Sequence, residues 1–264
     1  MSLAAGAALG EAAAAWAVAR RVAVGGRSVR YREAGHGPPL VLVHGLGVSA
    51  DYWHRNAPAL ALGGLRVLAP DLPGFGRTPG PPGLSIAAQA RALADWAAAL
   101  RLGPAAWLGH SLGAQSVLQL AATSPGAVRA LVLAAPTGGR RRRDHLHQAL
   151  GLLRDAFREP AHLFPIVVRD YLRVGPLRYW RTWRDATRHD SIGLLPRVQA
   201  PVLVVVGSDD PVVSPEVLHL MLERLPDARC VEIAGGSHAV LYDAAPEFNR
   251  AVLAFLRTRL PAPA

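Results

Sequence analysis

Short apolar runs and longer helical stretches alternate along almost the whole chain. Residues 22–24, a Gly25-Gly26 turn and residues 28–33 predict a β-hairpin. Six further short runs, at 40–43, 66–69, 105–108, 130–134, 202–206 and 229–233, are mostly apolar, with charges only at Arg66, Arg229 and Glu232. Strands buried on both faces have that pattern. Helical periodicity fills the intervals at 86–100, 112–123, 215–225 and 246–259, with Ser85 and Ser214 placed as N-caps and Pro215 in a first turn. The Ala-rich residues 1–20 predict a short N-terminal helix: the first charge is Glu11, and Arg20 and Arg21 follow the apolar stretch, the reverse of a secretory signal.

Strand–helix alternation with short connections predicts an α/β fold, a doubly wound, mostly parallel sheet of eight strands flanked by helices. In such sheets ligands bind outside the carboxyl ends of the strands. One interval breaks the rhythm. Residues 137–195 contain no convincing strand but are rich in Arg, Leu and aromatics, among them Phe157, Phe164, Tyr171, Tyr179, Trp180 and Trp183. They predict a helical cap inserted between two strands. The organisation expected is therefore an extension over 1–20, a core over 21–136 and 196–264, and a cap over 137–195.

Composition changes this picture little. The 264 residues suffice for one large core, and no uncharged apolar run reaches the roughly 18 residues of a membrane span. The net charge is +10, carried by 29 basic residues that are all arginine. Abundant Ala, Gly and Pro alongside arginine point to coding bias. The one dense cluster, Arg140 to Arg143, has no interleaved aromatics, so no specific nucleic-acid partner is expected. The single cysteine, Cys230, excludes an internal disulfide, and a reducing, cytoplasmic setting is expected. The expected partner is a small-molecule substrate.

The strand-end loops carry the chemistry. Gly109-His110-Ser111-Leu112-Gly113 has the form G-x-S-x-G and lies between a predicted strand and a predicted helix. A serine on so tight a turn sits in strained backbone, beside a helix N-terminus whose free N–H groups suit an oxyanion. Its hydroxyl needs a base. His238, in Gly235-Gly236-Ser237-His238 after the last strand, has the position for it; His110 adjoins the serine, and His44 ends an earlier strand. The base needs an acid, and Gly207-Ser208-Asp209-Asp210-Pro211 follows the preceding strand. Asp210 is favoured, with Asp209 as the alternative. The order Ser111, Asp210, His238 is that of one nucleophile-elbow architecture. The oxyanion donors expected are the backbone N–H groups of Leu112 and of Leu46, in the loop His44-Gly45-Leu46-Gly47. His44, Gly45, His110, Trp180 and Val240 are expected to border the substrate pocket.

On these residues the chain resembles the α/β-hydrolase superfamily over roughly residues 22–260, and more narrowly its members with a cap after the sixth strand. Asp71-Leu72-Pro73-Gly74-Phe75-Gly76-Arg77-Thr78 resembles the family's D-x-x-G-x-G-x-S loop, with Thr78 in place of serine. The family's G-x-x-D-x-x-x-P places the acid at Asp210, although Ser214 stands where proline is common. The resemblance implies no cofactor and no metal. A serine at the elbow favours acyl chemistry over the aspartate-based relatives, with ester hydrolysis expected first. Relatives that hydrolyse carbon–carbon bonds usually carry tryptophan after the catalytic histidine, where this chain has Ala239-Val240. Thioesterase and lactonase activity, and ligand binding without catalysis, stay open.

Overall fold

A computed structural model describes residues 3–138, 142–155 and 163–260. Eight strands form one sheet in the order β1-β2-β4-β3-β5-β6-β7-β8: β1 (Ala19–Val24), β2 (Arg27–Ala34), β3 (Pro39–Val43), β4 (Arg66–Pro70), β5 (Ala105–His110), β6 (Val128–Ala134), β7 (Val202–Gly207) and β8 (Ala228–Ile233). β1 and β4 each pair antiparallel with β2, and all other pairs are parallel. The helices are α1 (Leu3–Ala17), α2 (Ala57–Leu62), α3 (Ile86–Ala99), α4 (Leu112–Thr123), α5 (Arg142–Asp155), α6 (Phe164–Arg188), α7 (Ser191–Leu194), α8 (Pro215–Arg224), α9 (Val240–Asp243) and α10 (Ala245–Arg257). The expected α/β class and doubly wound sheet are therefore the observed ones.

The lack of polar alternation has a direct cause. Each central strand sends alternate residues into two separate cores. Val41, Val43, Trp107, Leu131, Leu133, Val204 and Val206 face one, with Leu93, Trp96, Val117 and Met221 from α3, α4 and α8. Leu40, Leu42, Leu108, Val132, Leu203 and Val205 face the other, with Trp16, Leu60, Tyr242 and Phe248 from α1, α2, α9 and α10. Each buried large side chain contributes about 1.5–3 kcal/mol of transfer free energy, so the central strands tolerate polar residues on neither face. The rule fails at the last strand: β8 is an edge, and it exposes Arg229, Cys230 and Glu232.

The expected caps form. Ser85 accepts a hydrogen bond from Ala88 N and Ser214 from Val217 N, both at 3.2 Å. The N-terminal helix ends sooner than expected, because Ala19 and Arg20 already pair with β2. Between β6 and β7 lie α5, α6 and α7, with no strand among the described residues. α6 is kinked at Gly175, whose φ of 71° and ψ of 157° are accessible essentially to glycine alone, and Pro176 follows. Arg140 and Arg141 lie outside the described residues, as does Phe157. No helix among the described residues is long and apolar enough to cross a membrane.

The sheet order fixes where a site can form. From β3 the chain runs outward to β4 and then returns to β5 on the other side of β3. β3 and β5 pair with Val43 opposite Gly109. Their following loops, 44–49 and the turn at Ser111, therefore diverge from one point, which is the crevice where such sheets bind ligands.

Candidate active site

The turn after β5 is held in the geometry expected of it. Ser111 has φ 53° and ψ −115°, a strained conformation for a residue with a side chain, costing on the order of 1–3 kcal/mol. Its N–H extends the β6 ladder to Ala134 O at 3.0 Å, while Leu112 already begins α4. The first helical position has no intrahelical acceptor for its N–H. Gly113 lets α4 come this close: a Cβ there would lie 2.6 Å from the His44 carbonyl oxygen.

His238 meets Ser111 from the other side. Its Nε2 is 3.0 Å from Ser111 Oγ, and its Nδ1 is 3.0 Å from Asp210 Oδ2. A carboxylate only accepts, so the proton sits on Nδ1 and the Nε2 lone pair faces the serine hydroxyl. The His238 and Asp210 side chains are 5% and 2% exposed, so water competes little for this pair. Asp210 Oδ1 also accepts from Val212 N at 2.7 Å and Val213 N at 3.2 Å. Burial alone would raise the Asp210 carboxyl, but its interaction with the His238 imidazole and these donors outweigh it and the net shift is downward. Asp209 is exposed, and its Oδ1 accepts from Ser208 Oγ. Asp210 is thus the carboxylate brought to His238. Gly207 makes the two loops meet, since a Cβ there would collide with the Gly236 carbonyl oxygen.

Asp243, not singled out in the sequence, joins Ser237 and His110 in holding the His238 loop. Ser237 N donates to Asp243 Oδ2 at 2.9 Å, and Ala239 N donates to Ser237 Oγ at 3.1 Å. His110 Nε2 donates to the His238 carbonyl at 3.0 Å, and the two rings lie 5.1 Å apart. Burial first, then repulsion from His238, lowers His110 to about 3, so it stays neutral beside a histidine that must gain a proton to act as base.

A cavity of about 480 Å³ opens above Ser111. Gly45, Leu46, His110, Leu112 and His238 border it from the strand ends; Gln148 and Leu152 from α5, and Tyr171, Tyr179, Trp183 and Thr187 from α6, border it opposite. Three expected pocket residues lie elsewhere. Trp180 is half exposed and stacks under the Arg184 guanidinium at 5.0 Å. It sits one residue, about 100° of helix, off the face shared by Tyr179, Trp183 and Thr187. Val240 opens α9 and is buried in the core, leaving Ala239 at the cavity. His44 is fully buried as a brace: its Nε2 accepts from Leu72 N at 3.0 Å, and burial lowers its pKa. The phase of 179, 183 and 187 was the available signal for the α6 wall.

Asp71 in the resembling loop accepts from Ala50 N at 2.9 Å, Arg77 N at 2.8 Å and Arg30 Nη1, and Thr78 Oγ1 accepts from Arg30 N at 2.9 Å. The threonine hydroxyl thus ties this loop to β2. Among the described residues no group of three or more His, Cys, Asp or Glu is placed to hold a metal ion.

Comparison with known proteins agrees with this architecture. The model of the Alpha/beta hydrolase family matches residues 40–251. The chain is 29% identical over 270 residues to the 2-hydroxy-6-oxo-6-(2'-aminophenyl)hexa-2,4-dienoic acid hydrolase of Metapseudomonas resinovorans, covering 92% of each chain. It is 30% identical over 244 residues to the pimeloyl-[acyl-carrier protein] methyl ester esterase of Aeromonas hydrophila subsp. hydrophila, covering 80% of this chain and 92% of that one. Among solved structures, a bacterial membrane phospholipase A superposes with a TM-score of 0.83 at 23% identity, over 97% of this chain and 90% of that one.

Proposed function

The chain belongs to the alpha/beta hydrolase family, and from that premise we propose that it is a serine hydrolase cleaving an uncharged, mostly apolar carboxylic ester through an acyl-enzyme on Ser111. The observation that carries this reading is the hydrogen-bonded chain from Ser111 through His238 to Asp210 beneath the cavity. Ser111 Oγ attacks the ester carbonyl carbon as His238 Nε2 takes its proton. The N–H groups of Leu46 and Leu112 hold the resulting oxyanion. The carbon–oxygen bond to the alcohol breaks, and His238 returns the proton to the leaving oxygen. Water, deprotonated by His238, then attacks the acyl-enzyme and releases the acid and Ser111. Asp210 keeps the imidazole oriented and stabilises its charged form throughout. Residues 137–195 act as the cap over this centre, residues 21–136 and 196–264 as the core, and residues 1–20 as an extension.

The cavity lining favours a neutral substrate. Among the described residues bordering it there is no Arg, Asp or Glu. A carboxylate seated against these described residues would lose its hydration with no counter-charge from them. That argues against the second reading, carbon–carbon bond hydrolysis of a dienoic acid, which the likeness to the Metapseudomonas resinovorans hydrolase favours.

The test is a fluorophosphonate probe together with a panel of p-nitrophenyl esters of increasing acyl length, a thioester, a lactone and a ring-cleavage diketone. Wild type is expected to be labelled and Ser111→Ala not, with neutral esters turned over fastest. No labelling of correctly folded protein points to ligand binding without catalysis, and turnover of the diketone alone replaces the ester reading.

A further inference from the structure

The loop after β3, which carries the Leu46 amide, is gripped by α6 at two points. Ser49 closes the loop. Its Oγ accepts from Asp51 N at 3.3 Å and donates to Asp170 Oδ2 at 2.5 Å. Asp170 lies on α6 and is fully buried. Two residues before Ser49 stands Gly47, with φ +85°, and Tyr171 lies against it: a Cβ at Gly47 would sit 2.6 Å from Tyr171 Cε1. Leu46 and the two residues after it are therefore held between a hydrogen bond to Asp170 and an aromatic ring from the next residue of the same helix.

Asp170 is anchored in turn. Its Oδ1 receives Arg169 Nε at 2.9 Å and Arg173 Nη1 at 3.5 Å. Arg169 Nη2 continues to Asp51 Oδ2 at 2.8 Å. Asp51 is held by Arg30 and Arg32, and Arg30 by both oxygens of Asp71 at 3.0 and 2.9 Å. One run of alternating charges thus joins the inserted helix to β2 and to the loop after β4. Burial opposes ionisation of Asp51, but the two arginines outweigh it and hold the carboxyl well below its usual range.

Simple adhesion does not account for this arrangement. An apolar contact would hold a helix on a core without the desolvation cost of a buried carboxylate. What a hydrogen-bonded ionic network adds is direction, one orientation of each partner. An oxyanion donor needs that, because it stabilises the transition state only when it is held close to its working geometry.

We propose that Asp170 is a positioning residue for the oxyanion hole, acting through Ser49 and helped by Tyr171 on Gly47, so that the inserted helix completes the reaction centre as well as covering it. This rests on the serine-hydrolase reading above. The experiment compares Ser49→Ala, Asp170→Asn, their double variant and the hydroxyl-retaining Ser49→Thr with wild type. Leu172→Gln, on the exposed outer face of α6, is the control. Readouts are kcat and KM on a p-nitrophenyl ester, affinity for an alkyl boronic acid, whose Ser111 adduct carries an oxyanion, and Tm.

Each single loss is expected to lower kcat by about 10- to 10²-fold with KM changed less than about threefold. Boronic-acid affinity is expected to fall in parallel, the double variant to be no worse than the poorer single, and Ser49→Thr to recover most of the loss. Leu172→Gln is expected to match wild type. Unchanged kcat and boronic-acid affinity in folded variants, with Tm alone reduced, overturns the proposal, as does a loss confined to KM. A wild type that binds no boronic acid and takes no fluorophosphonate label overturns instead the reading beneath it.

Discussion

The strand-end loops and the inserted helix α6 border the same cavity and are held by different forces. At the strand ends, position follows from the sheet. Ser111, Asp210 and His238 each stand in the loop that follows a parallel strand; Gly113 lets α4 approach the end of β3, and Gly207 lets the last two loops meet. On α6, Val174 and Ala186 pack into a core, and charge adds to that apolar anchorage. Asp170, Arg169 and Asp51 tie the helix to a core with which it shares no strand pairing. Steric fit in the first region leaves few alternatives. A charge network permits several helix phases, and the particular pairs choose one. Identity of residue type therefore says much about the first wall of the cavity and little about the second.

The largest expected effect tests the strand-end side. Asp210→Asn should lower kcat by about 10³- to 10⁴-fold, because an amide at this position no longer selects the Nδ1–H tautomer. Asp209→Asn, at an exposed site, should change it by less than about threefold. Steady-state kinetics at neutral pH decides between them, and the reverse ranking would break the assignment. On the α6 side the effect should be smaller and move specificity rather than rate. Trp183→Ala opens the cavity wall and should raise kcat/KM for an ester with a longer acyl chain by roughly 10-fold relative to a short one. Trp180→Ala, one residue away and half exposed, should leave that ratio unchanged. Equal responses from the two tryptophans would dissolve the distinction between the faces of α6.

The smallest effect concerns stability. His110 is held neutral, with its folded pKa lowered to about 3 from an ordinary value of 6.5. Between those values the unfolded chain binds a proton that the folded chain does not. Stability contributed by neutral His110 is complete above about pH 6.5 and falls as pH drops, by at most about 1.4 kcal/mol per pH unit. His110→Asn keeps a donor for the His238 carbonyl without the titrating ring. In urea unfolding the wild type should lose more stability than this variant between pH 7 and pH 5, and parallel losses would count against a buried neutral histidine.

Much of this architecture was legible in the chain. The eight strand runs, the caps at Ser85 and Ser214 and the positions of Ser111 and His238 follow from periodicity and from glycine-bearing turns, which are local signals, while Asp210 over Asp209 rested on the family resemblance. The edge character of β8 was missed, although Arg229 and Glu232 stand in its run, because only strand order shows which strand lies at the edge. The cavity wall was misjudged at Trp180, because two tryptophans three residues apart look alike until the helix phase is known. Val240 and His44 were misplaced for a related reason: being next to a site residue in sequence does not decide which way a side chain turns. The Asp51–Arg169–Asp170 network was invisible, since the bond from Arg169 to Asp51 spans 118 residues of the chain and each member alone resembles an ordinary solvated charge.

The break at Gly175 divides α6 into two arms with separate histories available to them. The first arm, up to Val174, carries Asp170, which answers to the machinery of the core, and Tyr171, which packs on Gly47 and also borders the cavity. The second, after Pro176, carries Tyr179, Trp183 and Thr187 and answers to whatever enters the cavity. A continuous helix would transmit any refitting of its far end back to Ser49 as a rotation of the whole rod. A joint with its own backbone conformation absorbs that rotation. Descendants of this chain can therefore change diet by mutating one arm while inheriting the other intact, and variation among its relatives should concentrate beyond the joint.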